Sequence, residues 1–302
     1  MGSYGRLDPT NEETIDVTMR DDYPAGVPCW LDLAQDDPDA AMAFYRELFG
    51  WEFDVRTPPE APATYAYARL DGGTVAAIGG PSSATDPSGW NQYVCVESAD
   101  ATAAAVEANG GTVAAAPVDI PGSGRVAQCA DAEGARFGLW QPAELRGVQI
   151  VNAAGSWNFS ELNSVDLDAA ARFYGEVFGW EMGSFGMPGD LSGFFRVPGY
   201  GAFLAERDPA VKAFQESGEG PDGFNDAVAI LQPLALDHPD PTPHWSTTFA
   251  VADADAAFDR ALAAGAAVVT APFDTPYTRQ SAVLDPQGAV FNLSEYRPDG
   301  AG

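Results

Sequence analysis

Two acidic side chains occupy equivalent places in otherwise apolar segments of this 302-residue sequence. Asp32 lies in VPCWLDLA (27–34), and Glu161 lies in WNFSELNS (157–164), 129 positions later. A carboxylate that faces an apolar pocket has a raised pKa and can act as a general acid or base. A carboxylate that only hydrogen-bonds a neighbouring strand or another domain explains the pattern as well. We predict Asp32 and Glu161 as catalytic residues, with a structural role as the alternative.

The same offset of 129 separates two nearly identical strings, FYRELFGWE (44–52) and FYGEVFGWE (173–181). On a helix, residues four or five apart lie close to one face, so Tyr45 and Phe49 belong to one apolar stripe. This stripe must pack on a sheet, and Trp51 begins the next strand beside it. The string is therefore typical of a packing motif, and its repetition indicates two copies of one domain.

Each copy divides into two units with the order strand, helix, strand, strand, strand. The first helix is predicted over 37–50, because Asp37 can cap it and Gly50 suits its end. In the third unit the segment GAFLAER (201–207) is predicted as a strand. We divide the chain into an acidic tail (1–24), a first domain (25–145) and a second domain (150–297). The second domain contains a long insertion (207–243) that is rich in proline, glycine and aspartate. The insertion is expected to cover part of the second domain's opening, with plain disorder as the alternative.

Composition excludes several classes of function. Lys and Arg number 15 against 44 Asp and Glu, which gives a formal net charge of −29, so nucleic acid and anionic membranes are not expected as partners. The three cysteines, Cys29, Cys95 and Cys129, form no CxxC pair and are predicted to be reduced core residues. No signal pattern or membrane-spanning run is present, so we expect a cytoplasmic protein.

The motifs resemble those of a known family. DPDAAMAFYRELFGWE (37–52), the helix DATAAAVEANGG (100–111) and the late segment DPQGAVFNL (285–293) are similar to the vicinal oxygen chelate superfamily, which includes glyoxalase I, extradiol dioxygenases and bleomycin-resistance proteins. The likeness is greatest to its two-domain actinobacterial type, often described as hydroxylases. The resemblance implies an α+β fold: four βαβββ units form two tandem domains, each an open, cup-shaped β-barrel flanked by helices.

Metal-dependent relatives hold one divalent ion with four His or Glu side chains that face the cup. The spacing places these positions near Trp30, Ala77, Asn91 and Gly138, and near Phe159, Ala202, Ser246 and Asn292. None of the eight is His or Glu, whereas transition metals need three or four imidazole or carboxylate donors. We therefore predict no metal site and no cofactor.

The remaining cup positions are predicted to bind a ligand. Asp32 and Glu161 lie two residues after the first lost metal position and so share its face. The predicted ligand-binding residues, from both cups, are Trp30, Tyr67, Asn91, Tyr93, Trp140, Phe159, Asn163, Phe195, Arg196, His244, Ser246, Thr248, Asn292 and Ser294. The first cup is the more aromatic, and the second is the more polar.

These residues favour a metal-independent protein that binds a small oxygenated or aromatic metabolite. Acid–base chemistry on that metabolite, such as isomerisation, cyclisation, hydration or dehydration, would make it a lyase, an isomerase or a hydroxylase-like enzyme of secondary metabolism. A resistance-type protein that sequesters a drug without catalysis is the first alternative, and a metal-dependent glyoxalase or dioxygenase is the second. We expect a monomer or a weak homodimer.

Overall fold

The computed structural model describes residues 18–58, 60–61, 63–81, 89–186, 191–218, 220–234 and 242–297. The first unit contains β1, α1, β2, β3 and β4, which span Pro28–Ala34, Pro38–Phe49, Glu52–Val55, Tyr65–Leu70 and Gly73–Gly79. The second unit contains β5, α2, β6, β7 and β8, which span Gly89–Cys95, Ala99–Ala108, Thr112–Ile120, Gly124–Ala130 and Arg136–Pro142.

The second half repeats this order with two added helices. The third unit contains β9, α3, β10, β11, α4, α5 and β12, which span Trp157–Ser164, Leu167–Phe178, Glu181–Ser184, Gly193–Arg196, Tyr200–Ala205, Pro209–Ser217 and Ala227–Pro233. A 3-10 turn at Phe224–Asp226 precedes β12. The fourth unit contains β13, α6, β14, β15 and β16, which span His244–Ala250, Ala254–Ala263, Ala267–Asp274, Thr278–Leu284 and Val290–Tyr296.

Each half forms one open eight-stranded sheet. The strand order is β2-β3-β4-β1-β5-β8-β7-β6 in the first half, and the second half has the matching order β10-β11-β12-β9-β13-β16-β15-β14. The first strands of the two units pair antiparallel at the centre, and each unit's fourth strand pairs parallel with its first. The predicted α+β fold of two tandem domains is confirmed.

The two repeated helices, α1 and α3, begin and end at the capping residues that the sequence predicted. The Asp37 side chain accepts a hydrogen bond from the backbone of Ala40, and Gly50 ends α1 with a φ of 74°. Asp166 and Gly179 do the same for α3. A left-handed φ favours glycine because a Cβ atom is strained there.

The third unit departs from the prediction. Residues 201–207 begin in a helix, α4, and are not a strand. The fourth strand of this unit is β12, which lies inside the stretch 207–243 that was assigned to the insertion. The added segment therefore separates β11 from β12. It escaped detection because GAFLAER falls where the first domain has β4, and a short apolar run does not distinguish helix from strand.

The repeated FYxxxFGW string packs between the two domains as well as on its own sheet. The Tyr45 ring stacks on Trp51, with ring centroids 5.5 Å apart, and lies 5.6 Å from Phe291 of the other domain. Phe49 contacts Phe249 of the other domain, with centroids 5.0 Å apart. The stripe was predicted to pack on a sheet, and the structure adds that the sheet of the second domain covers much of it.

Reciprocal hydrogen bonds join the domains at this interface. The Trp51 Nε1 donates to the Gly155 carbonyl (2.8 Å), and the equivalent Trp180 donates to the Gly26 carbonyl (2.6 Å). Both donor and acceptor are displaced by 129 positions, so the interface has approximate two-fold symmetry. Each indole is buried, and an unpaired N–H there would be costly.

Two tyrosines repeat the exchange with buried carboxylates. The Tyr45 hydroxyl donates to Asp285 Oδ2 (3.0 Å) and accepts from Trp90 Nε1 (3.1 Å). The Tyr174 hydroxyl donates to Asp131 Oδ2 (3.0 Å), and burial raises the pKa of that carboxyl. The repeated FYxxxFGW string thus places one tyrosine hydroxyl of each domain on a buried aspartate of the other domain.

Other expectations concern the core and the membrane. All three cysteines are free and buried, as predicted for small core residues. Within the described ranges, every helix is too short or too polar to cross a membrane.

Prediction for the interface. Tyr45→Phe and Tyr174→Phe remove a hydroxyl that serves a buried carboxylate and a half-buried indole. Each change should lower the free energy of unfolding by about 1–3 kcal/mol, because the buried carboxylate loses a hydrogen-bond donor. Urea unfolding followed by tryptophan fluorescence measures the loss. Tyr277→Phe, at an exposed tyrosine, is the matched control and should change nothing. Equal stability of all three variants would contradict the interface assignment.

Candidate functional site

The strand register of the first domain brings the predicted residues to one face. Asp32 of β1 lies opposite Asn91 of β5 and Ala77 of β4. Trp30 lies opposite Tyr93, and Tyr93 lies opposite Gly138 of β8. Paired residues in adjacent strands point to the same side of a sheet. We call this side the first cup.

Asp32 is the centre of a hydrogen-bond network in the first cup. Its Oδ2 accepts hydrogen bonds from the hydroxyls of Tyr93 (3.0 Å) and Tyr65 (3.1 Å), and its Oδ1 accepts one from Asn91 Nδ2 (3.2 Å). Trp30 Nε1 donates to the Tyr65 oxygen (3.2 Å), and Gln128 Nε2 donates to the Tyr93 oxygen (2.9 Å). All of these donors are neutral, so the carboxylate is solvated by the protein without a cation among them.

Two glycines make room for the tyrosines. A Cβ atom at Gly138 would lie 1.9 Å from the Tyr93 ring, and one at Gly79 would lie 2.5 Å from the Tyr65 ring. Both rings therefore lie flat against bare backbone, which brings their hydroxyls to one carboxylate oxygen. Any side chain at either position would displace a tyrosine and remove a donor from Asp32.

The Asp32 carboxyl group borders a cavity of about 170 Å³. Leu33, Ala34, Tyr65, Gly79, Gly80, Asn91, Tyr93, Gln128 and Arg136 complete its lining. Asp32 itself is half-buried. Burial raises the pKa of Asp32 to about 6, against the opposing effect of the hydrogen bonds from Tyr93, Asn91 and Tyr65. A carboxyl group with this pKa exchanges a proton readily near neutral pH.

The second domain has a comparable network around Glu161, on the side that we call the second cup. Thr248 Oγ1 donates to Glu161 Oε1 (3.0 Å), and Gln232 Nε2 and Asn292 Nδ2 both donate to Oε2 (3.2 Å each). Burial raises the pKa of this carboxyl too, against the hydrogen bonds from Thr248 and Gln232. Asn163 extends the network through its bond to Ser246 Oγ (2.9 Å).

Aromatic rings from the added segment cover part of the second cup. Phe224, which is 6% exposed, lies 5.0 Å from Phe194 and 6.1 Å from Phe159 between ring centroids. Phe159 and Glu161 are two residues apart on β9 and share a face. Among the described residues of the first domain there is no counterpart of the added segment and of this cover.

Several predicted residues take other positions. Phe195 packs against Trp180 and Tyr174 on the opposite side of the sheet, with ring centroids 4.9 and 5.4 Å apart, so its assignment to the cup is wrong. The alternation along β11 places Phe194 on the cup side instead. Arg196 follows an irregularity in that strand and forms an ion pair with Glu181.

The remaining predicted residues lie at the margins of the cups. His244 is exposed at the start of β13, and its Nδ1 is 2.8 Å from the Thr242 carbonyl. Ser294 is buried beside Ala250 in the register of β13 and β16. Trp30 and Tyr67 meet edge to face, with centroids 5.3 Å apart, behind the Asp32 cavity. Trp140 Nε1 donates a hydrogen bond to the Leu145 carbonyl (2.8 Å).

Sequence reasoning missed Tyr65, Gln128 and Arg136. Tyr65 was within reach, because it lies two residues before Tyr67 and therefore shares its face. Gln128 faces the cavity because β7 pairs it with Gly138, and that register cannot be read from one sequence. Arg136 lies two residues before Gly138 on β8 and lines the same cavity.

The donors in the two cups do not fit a transition-metal ion. The first cup offers one carboxylate, Asp32, and the second offers one, Glu161. The strand correction also moves the position assigned to Ala202 onto Ile230, which pairs with Glu161 and has no donor atom. At Gly138 the Tyr93 ring occupies the space that a ligand side chain would need. Across the described part of the chain, no three His, Cys, Asp or Glu side chains converge.

Comparison with known proteins gives consistent matches. Residues 29–139 and 157–293 match the family described as Glyoxalase/Bleomycin resistance protein/Dioxygenase superfamily. "Putative glyoxylase CFP32" of Mycobacterium bovis is 34% identical over 287 residues, covering 93% of this chain and 99% of that protein. "Anthracycline biosynthesis protein DnrV" of Streptomyces peucetius is 32% identical, covering 91% of this chain and 95% of that protein.

Solved structures show the same fold at lower identity. The Mn(II)-bound glyoxalase from Novosphingobium aromaticivorans superposes with a TM-score of 0.57 at 16% identity, covering 92% of this chain and 86% of that chain. The 2,2',3-trihydroxybiphenyl 1,2-dioxygenase from Sphingomonas wittichii superposes with a TM-score of 0.55 at 13% identity, covering 90% of this chain and 91% of that chain. These similarities concern the fold.

Prediction for the carboxyl group. Asp32 should titrate near pH 6 in the native protein, about two units above an ordinary aspartate. Carboxyl ¹³C NMR of the protein measures this midpoint, and the signal should be absent from Asp32→Asn. The native state holds the proton more tightly than the unfolded chain does, so the group's contribution to stability is present below about pH 4 and is lost as the pH rises through about 6. A midpoint near pH 4 would rule out the raised pKa.

Proposed function

Because the chain belongs to the Glyoxalase/Bleomycin resistance protein/Dioxygenase superfamily, we propose that its first cup binds a small oxygenated aromatic metabolite without a metal ion and that Asp32 transfers a proton on it. One observation carries the proposal. Asp32 has a pKa of about 6, three neutral hydrogen-bond donors and direct access to a cavity. A general base or acid needs this combination of access and proton affinity.

The proton transfer follows from the positions of these groups. The Asp32 carboxylate removes a proton from a carbon next to a carbonyl of the ligand, and the electron pair moves onto the carbonyl oxygen. Asn91, Gln128 and Arg136 line the same cavity and supply N–H donors for that oxygen. Asp32 then returns the proton at another atom, which gives isomerisation, or to a departing hydroxyl group, which gives dehydration. Atoms and charge balance without a co-reactant.

The substrate class rests on the walls of the cup and on two relatives. Tyr65 and Tyr93 present aromatic surface and hydroxyl groups to the cavity, which suits a planar oxygenated ring. Two relatives of similar length, DnrV and DauV, carry the description "Anthracycline biosynthesis protein". We extend that description to this chain only as a class of ligand, namely an aromatic polyketide or a ring system like it.

Binding without catalysis is the second candidate function. The three donors to Asp32 hold its carboxylate in place even without a ligand. Glu161 is held in the same way in a cup that Phe224 partly covers. Carboxylates fully engaged in this manner also suit a rigid binding wall.

Prediction for Asp32. Two probes separate binding from chemistry: quinizarin, a dihydroxylated anthraquinone, tests binding by tryptophan quenching, and 2-tetralone, an aromatic ketone, tests proton transfer by deuterium uptake from solvent. Asp32→Asn should bind quinizarin nearly as wild type does and lose about 100-fold in the rate of protein-catalysed deuterium uptake. Glu161→Gln is the matched control and should retain both properties.

The outcomes of this experiment are distinct. Quinizarin binding without deuterium uptake above the buffer rate in the wild-type protein would replace catalysis by sequestration. An equal loss in Asp32→Asn and Glu161→Gln would move the site out of the first cup. Failure of quinizarin to bind the wild-type protein would contradict the proposed class of ligand.

Prediction for metal removal. Dialysis against EDTA should leave quinizarin affinity and deuterium uptake unchanged, because the carboxylate works with organic donors alone. Elemental analysis of the dialysed protein by mass spectrometry confirms that the ions are gone. A loss of either property that Mn²⁺ or Fe²⁺ restores would overturn the metal-independent part of the proposal.

A further inference from the structure

A second cavity lies between the N-terminal segment, the start of β9 and the added helices α4 and α5. It measures about 60 Å³. Arg20 enters it from the segment 18–24, which is anchored by the Arg20 N–H to Gln149 O bond (2.8 Å) and the Tyr23 hydroxyl to Val148 O bond (2.7 Å). Tyr200, the first residue of α4, forms the opposite wall.

Arg20 carries a charge that the described residues do not neutralise. Its guanidinium donates to the Tyr200 hydroxyl and lies 5.6 Å and 5.8 Å from the centroids of the Tyr23 and Tyr200 rings. Within the described part of the chain it forms no ion pair with a carboxylate. Burial raises the pKa of both tyrosines, although the Arg20 charge opposes this, so both phenols stay neutral. Arg20 is half-buried, and arginine stays charged, so its charge is more favourable with an anion beside it.

The lining of the cavity has an unusual composition for so acidic a protein. Among the residues that the structure describes, no Asp or Glu lines this cavity. Its polar groups besides Arg20 include the amides Asn152, Asn158, Gln215 and Asn225. Two of these amides are held by hydrogen bonds within the protein: Asn158 Nδ2 donates to Asn152 Oδ1 (3.2 Å), and Gln215 Nε2 donates to the Gly201 carbonyl (2.9 Å). Leu204, Val211 and Val228 supply apolar walls.

We propose that this cavity binds a short aliphatic carboxylic acid, with the carboxylate on Arg20 and Tyr200 and the hydrocarbon part against Leu204 and Val211. A guanidinium and a phenol hydroxyl match a carboxylate, and the bond between opposite charges is strong where water is excluded. The apolar walls favour an organic acid over inorganic phosphate, which has no apolar part to bury. The site is separate from Asp32, which does not line this cavity.

The ligand would connect three parts of the chain. Arg20 belongs to the N-terminal segment, Tyr200 and Leu204 belong to the added segment, and Phe159 at the edge of the cavity belongs to the second cup. Binding here therefore stabilises the contact between the N-terminal segment and the second domain. This predicts a rise in thermal stability, which can be measured without knowing any reaction of the protein.

The test compares butyrate with butyramide, its neutral isostere, at about 10 mM and matched ionic strength. Butyrate should raise the wild-type melting temperature by roughly 2–4 °C more than butyramide does. Arg20→Gln should abolish the difference, and Arg20→Lys, which keeps the charge, should retain part of it. Arg172→Gln, at an exposed arginine outside the cavity, is the matched control and should respond as wild type does.

Two further measurements keep the outcome decisive. Asp32→Asn should respond to butyrate as wild type does, which separates this site from the proposed function. Circular dichroism shows whether Arg20→Gln is folded. If it is not folded, the test uses Arg20→Lys, which should keep part of the difference between butyrate and butyramide. Equal stabilisation by butyrate and butyramide, or a butyrate response that survives in folded Arg20→Gln, would overturn the proposal.

Discussion

The exchange of tyrosines across the domain interface supports the whole architecture. Tyr45 donates to Asp285 and Tyr174 donates to Asp131, so each domain supplies a phenol to a buried carboxylate of the other. Asp285 also accepts from Gln35 Nε2 (2.7 Å), which adds a second donor from the first domain. A buried carboxylate is costly unless such donors compensate for lost water. The sheet faces with the FYxxxFGW helices are therefore committed to the interface, and the opposite faces are left for ligands.

The two cups show how one scaffold changes its chemistry through a few positions. The register equates Gly138 with Asn292 and Gly79 with Gln232. In the second cup the longer side chains at these positions reach Glu161 directly. In the first cup the glycines leave space for Tyr93 of β5 and Tyr65 of β3, whose hydroxyls reach Asp32. Both carboxylates keep several neutral donors, but only the first accepts hydrogen bonds from tyrosine hydroxyls.

The neutral donors around Asp32 have a consequence for its acid–base behaviour. A bound cation would hold a carboxylate ionised far below neutral pH. Hydroxyl and amide donors oppose burial only partly, and the pKa of Asp32 settles at about 6. The first cup thereby holds a group that can accept or release a proton close to physiological pH. A protein with a formal charge of −29 obtains this property locally, from desolvation and three hydrogen bonds.

The sequence by itself determined the repeat, the fold class and the two central carboxylates. The 129-residue offset, the capped helices and the alternation along β1 and β9 are local patterns, and local patterns reflect the periodicities of helix and strand. The alternation placed Trp30 on one face with Asp32, and the family resemblance implied that Asn91 and Tyr93 share that face.

Tertiary structure alone decided the rest. The positions of β12 and Phe195 were misassigned, because spacing does not reveal which short apolar run pairs with a distant strand. Gln128 reaches Tyr93 only through the register of β7. The same holds for Arg20 and Tyr200, which are 180 positions apart and meet only when the added segment folds against the N-terminal segment. Side chains this distant in sequence have no shared period, so their contact depends on the packed chain.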